Sequence, residues 1–194
     1  MRVTRELALS VPVEREGGAL VYVHTVPVER DVFEANYKLI ARAWSEMIEV
    51  STTYAFGTGP RIAAMVVRDA GKAIAAAAGE DGDAGAGAFL AEVERRTALV
   101  APTAAAWEAI PLAAAVARGQ IDAAEHGEML NQVVFFTLAC AITKSSARQK
   151  IAEMIASAMG ASIALSNSTE FAASLPISTP AGTNGGAAAS SVPS

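Results

Sequence analysis

Phe33, Tyr37, Ile40, Trp44, Met47 and Ile48 recur at spacings of four, three, four, three and one. Side chains at those intervals share one face of an α-helix. Arg30, Glu34, Lys38, Arg42 and Glu46 fall largely opposite. The pattern predicts a helix over Asp31–Val50 whose apolar stripe must be covered by another element. Just upstream lie two β-prone runs, LALSVPV (Leu7–Val13) and ALVYVHTVPV (Ala19–Val28), separated by the polar turn EREGG. In the second run Val21, Val23 and Thr25 alternate with Tyr22, His24 and Val26, the period of a half-buried strand. Pro12 and Pro27 lack a donor N–H and belong near strand ends or on an edge. An N-terminal β-hairpin follows from these features, and a hairpin alone is marginal in water.

Most of the remaining chain is alanine-rich, which favours helix while burying little surface per residue. STTYAFGTG interrupts the first helix, and Pro60 suits the first turn of a second, Pro60–Ala78. GEDGDAGAGA (Gly79–Ala88) reads as a loop. A third helix is expected over Ala88–Val100 and a fourth over Thr103–Arg118, with Thr103 as N-cap, Gly119 as stop and a kink at Pro111. Asp122 can cap a fifth helix running to Thr143, and a sixth covers Ser145–Ala158. The expected fold is mainly α: an N-terminal β-hairpin followed by a bundle of about five or six helices, with a disordered C-terminal tail. The domain boundary falls between 1–165 and 166–194, because Ser, Thr, Gly, Pro and Ala supply nearly everything beyond Ser166.

Hydrophobic residues make up 52% of the 194 residues and charged ones 18%, with a mean hydropathy of +0.32. The net charge of −5 argues against nucleic acid, which needs a cationic face. The single cysteine, Cys140, cannot form an intramolecular disulfide. MRVTRELALSVPVERE is charged throughout and lacks the apolar stretch of a signal peptide. The most apolar run, VVFFTLACAIT, is roughly half the ~20 residues a bilayer requires. These features imply a cytoplasmic protein with no membrane segment.

The chemistry-bearing motifs are weak. Asp81, Asp83 and Glu92 match offsets one, three and twelve of a calcium loop, but Gly85 and Ala86 fail its fifth and sixth positions. GTGPR lacks the Lys-Ser/Thr pair of a phosphate-binding loop. His24, read as lying on the solvated side of its strand, and His126, read as exposed at a helix start, have no second ligand at metal spacing. Cys140 reads as a small buried hydrophobe rather than a nucleophile. No catalytic residue, cofactor or metal site is expected, and the chain is read as a binding protein, not an enzyme. Its oily surface, poor in large aromatics, favours a homo-oligomer.

A hairpin feeding an amphipathic helix (ALVYVHTVPVERDVFEANYKLIARAW), an alanine-rich helical body and a Ser/Thr/Pro tail together resemble the tail assembly chaperones of long-tailed bacteriophages. The resemblance is sharpest over Trp107–Lys144 (WEAIPLAAAVARGQIDAAEHGEMLNQVVFFTLACAITK) and Asn167–Ser194 (NSTEFAASLPISTPAG…ASSVPS). It implies a protein that binds the tape measure protein in the host cytoplasm and holds it soluble while tail tube subunits polymerise around it. Such a protein is absent from the mature virion. The tail would tether a second binding function, by which a longer frameshifted product recruits the tube subunits. Phe33, Tyr37 and Trp44 on the helix, with Phe171 and Leu175 in the tail, are the candidate partner-binding residues. The alternative is a virion structural component: a minor tail, terminator or head-tail connector protein.

Overall fold

The structure, a computed structural model, describes residues 7–15, 19–50 and 52–176. The hairpin forms as expected: β1 (Ala8–Glu14) pairs antiparallel with β2 (Leu20–Thr25), with Val11 opposite Val23. Residues 16–18 of the EREGG turn lie outside the described residues. The helix after it, α1 (Arg30–Val50), begins within one residue of its expected start. Leu39, Ile40, Ala43 and Met47 are buried on its inner face.

The expected helical bundle is wrong in kind. The described residues contain seven helices and a five-stranded antiparallel sheet, in the order β4-β3-β2-β1-β5. The expected third helix stops early: α3 is Ala86–Arg95, and Thr97–Pro102 is strand β3. The expected fourth helix is β4 (Trp107–Pro111) followed by the short α4 (Leu112–Ala117). Alanine runs suit a helix by local propensity, yet β2 presents an open edge that needs a partner for its N–H and C=O groups. TALVAP meets that need with Leu99 against Val23 and Val100 against Tyr22. Thr103, expected as a helix N-cap, instead closes the β3–β4 turn, where its hydroxyl donates to the Ala106 carbonyl. A three-residue strand, β5 (Ser162–Ala164), completes the far edge beside β1.

Two further expectations fail locally. The first helix does end at Val50, but the second starts earlier than expected: α2 runs Thr52–Ala78, with Pro60 inside it rather than in its first turn. Ser168–Ser174, expected within the disordered tail, forms α7. The rest of that tail, 177–194, lies outside the described residues.

Helix α5 (Ala123–Ile142) starts as its sequence predicts, with the Asp122 carboxylate accepting from the Ala124 and Glu125 N–H groups and Glu125 answering in a capping box. It is buried all round from Met129 to Cys140, except at the half-buried Asn131 and Gln132. α6 (Ser145–Ala158) follows, as expected. One buried cluster joins these helices to Leu9, Val11, Val23 and Leu99 on one face of the sheet. The other face, carrying Tyr22, His24 and Trp107, is crossed by α7.

Gly71 of α2 sits where a Cβ would clash with the Asp83 carbonyl oxygen and come within 2.7 Å of Ala86 Cβ. That close approach lets the α2–α3 turn fold back against α2. Gly71→Ala is expected to cost about 1–3 kcal/mol, read as a Tm lowered by several degrees in thermal unfolding.

Candidate functional site

A groove of about 710 Å3 opens where α1 begins, α5 ends and α6 begins. Its apolar surface comes from Leu7 ahead of β1, from Val26, Pro27 and Val28 between β2 and α1, from Phe33, and from Ala141 and Ile142 at the end of α5. The α5–α6 corner shapes it. Thr143 leaves the helix with extended backbone while its hydroxyl donates to the Ala139 carbonyl at 2.6 Å. Arg148, one turn into α6, reaches back with Nε to the Cys140 carbonyl at 3.1 Å, satisfying an orphan helix-end acceptor.

The groove also carries charge. Arg30, Arg96, Lys144 and Arg148 line it against two carboxylates, Glu29 and Glu34, in a chain of net charge −5. Arg30 is taken by Glu34 at 2.6 Å, and Arg96 spans Glu29 at 3.0 Å and Glu92 at 2.7 Å. Glu92 also holds Arg95 at 2.7 Å. Hydrogen bonds from Arg95 and then Arg96 pull its carboxyl down to about 2. The uncompensated positive charge therefore collects at Lys144 and Arg148, on the positive end of the α6 dipole. Among the described residues, no histidine, cysteine or aspartate lines the groove. An apolar wall beside a cationic rim suits an amphipathic segment whose polar side is acidic.

The five expected partner-binding residues do not share one surface. Phe33 lines the groove, and Tyr37, one turn further along α1, is 53% exposed. Trp44 turns inward and packs on Phe135 with ring centroids 5.7 Å apart. Phe171 and Leu175 lie across the molecule on α7 and just after it, where Phe171 meets Tyr22 and His24. Lys144 and Arg148 were missed. The cue was present in TKSSARQK, a basic patch in an acidic chain, but only folding of the α5–α6 corner brings it beside Phe33.

Asp83 spends its carboxylate on the Gly85 and Gly87 N–H groups of the α2–α3 turn. GTGPR is part of α2. His126, expected exposed, is half-buried with Nε2 2.7 Å from Glu94. His24, expected on a solvated face, is 1% exposed, because α7 covers that face. Cys140 is buried, and desolvation pushes its thiol up to about 12. Among the described residues no group of three or more His, Cys, Asp or Glu is placed to hold a metal ion, and no helix is long and apolar enough to cross a membrane.

Because Glu92 is held well below the ordinary carboxyl value of 4.5, the stability it confers is complete above that value. It is lost as pH falls toward about 2. Glu92→Gln is expected to lower stability at neutral pH and to flatten the acid limb of the stability profile across that window, as measured by urea unfolding at stepped pH. No protein-family model, curated protein or solved structure matches the chain.

Proposed function

We propose that the protein is a non-catalytic chaperone for a helical polypeptide, and that its client is a phage tape measure protein held soluble during tail tube assembly. The observation that carries the binding role is the groove at the α5–α6 corner, with Phe33 and Ile142 on its apolar side and Lys144 and Arg148 on its rim. An amphipathic client helix would lay its apolar face on the first pair and carboxylates on the second. Further oily surface supports the reading: Tyr37 and Met65 are each 53% exposed, Leu165 50% and Met154 46%. The identity of the client rests on the sequence resemblance, which also suggests recruitment of tail tube subunits and action in the host cytoplasm. Several copies bound along one client, each weakly, would give avidity while leaving every contact displaceable by tube subunits.

Coexpression with a phage tape measure protein tests the reading. The wild-type chain is expected to keep the client in the soluble fraction and to copurify with it. Phe33→Asp and Arg148→Glu are each expected to weaken binding roughly tenfold or more, the loss of one central contact at an interface. An insoluble client beside well-folded wild-type protein would refute the proposal. Abundant peptides of the chain in purified virions would instead make it a structural tail component.

A further inference from the structure

The outer face of the sheet is covered by very little. α7 (Ser168–Ser174) has seven residues, too few to hold helical form without tertiary contacts. Ala172 is its one buried side chain. Phe171 makes edge contact with Tyr22 at 5.4 Å and lies tilted on His24 at 5.2 Å. Beyond the helix, the Trp107 indole N–H donates to the Pro176 carbonyl at 3.0 Å, and Leu175 sits by Trp107 in a shallow cleft. Two ring contacts, one hydrogen bond and a few small apolar groups place this segment at the low-stability end of the molecule.

The polar groups of this face are incompletely satisfied. His24 is buried, hydrogen-bonded to the Ser166 backbone, and its Nε2 has no partner. Ser10, directly across the ladder on β1, is also fully buried with its hydroxyl unpartnered. Desolvated polar groups without partners cost stability, and a desolvated charge costs more.

Among the described residues, the surroundings offer no counter-ion for a protonated His24. β2, β3 and β5 carry no charged residue, nor does the 165–167 connection. On β1 the one charged residue is the exposed Glu14, at the far end opposite Leu20. On β4 it is Glu108, which is 3.7 Å from Arg118. On α7 it is Glu170, whose carboxylate accepts from the Asn167 N–H.

We propose that α7 is a releasable strap, docked on the outer sheet face while His24 is neutral and released when His24 takes up a proton. Release hydrates the imidazolium and uncovers Tyr22 and Trp107, an aromatic surface that the docked strap occupies. The proposal is independent of the groove, which lies on the helical side. Burial holds the ring below its ordinary value of 6.5, partly offset by the Ser166 hydrogen bond. The docked state therefore binds a proton less readily than the open one. Docking keeps full strength above that value and weakens as pH falls below it, by at most about tenfold per pH unit for one proton.

Hydrogen exchange on the full chain tests this at about pH 7.5 and about pH 5, after correction for intrinsic exchange, within the range where histidine titrates. In the wild type, amides 168–175 are expected to lose tenfold or more of their protection at the lower pH, while amides 133–140 of α5 keep theirs. His24→Gln and His24→Leu are expected to abolish the pH dependence, and Phe171→Ala to leave α7 unprotected at both pH values. Three results would overturn the proposal: equal α7 protection at both pH values in the wild type, acid loss persisting in both His24 variants, or α5 losing protection in step with α7. An NMR titration showing the His24 ring protonated with α7 still docked would overturn it as well.

Discussion

The Phe135 ring holds the helical layer together. It is buried at the middle of α5, stacks at a tilt on Trp44 of α1, and approaches Gly59 of α2 so closely that a Cβ there would lie 2.5 Å from the ring. Gly59 is thus a packing requirement: its bare backbone is the surface on which the ring rests. Its neighbour Pro60 is tolerated inside α2 even though its ring removes a helix hydrogen bond. With α1 and α2 gathered on this ring, a helix apolar on every side is enclosed and the sheet closes the core from below.

Enclosing α5 has consequences at both of its ends. At the start, the Asp122–Glu125 capping box satisfies the first N–H groups, and Arg15 of the hairpin reaches across to Glu125 at 2.9 Å. At the finish the chain must turn sharply into α6, and the last carbonyls are met by Thr143 and Arg148. The candidate groove is a by-product of that corner. The helix-end carbonyls need donors, one of the two donors is the cationic Arg148, and the apolar residues before α1 stand beside it.

The two sheet faces differ in how securely they are covered. One is shared with the large helical core. The other carries a seven-residue helix whose Phe171 lies on His24, and the cross-strand pair Ser10 and His24 is buried on that face with unpartnered polar atoms. Conformational change is cheapest where contacts are few and polar groups gain hydration on opening. That condition is met on the outer face and not in the core around Phe135.

Local features were legible where one period or one cap decides the outcome. The α1 stripe, the hairpin alternation, the Asp122 cap and α6 all follow from nearest-neighbour chemistry within a few residues. Phe33 at the groove was also legible, as a large apolar residue on an amphipathic helix. Residues 97–111 were not, because TALVAP and WEAIP are helix-compatible in isolation and become strands only when β2 offers an open edge. Likewise the alternation of β2 separates Tyr22 and His24 from Val21 and Val23, but it cannot say that α7 returns from some 145 positions later to bury the second face. The sequence alone therefore determined the hairpin, its helix and the Asp122 cap, since these are settled by contacts a turn apart. Only the tertiary structure decided the five-stranded sheet, the buried histidine and the cationic corner, since each depends on groups far apart in the chain meeting in space.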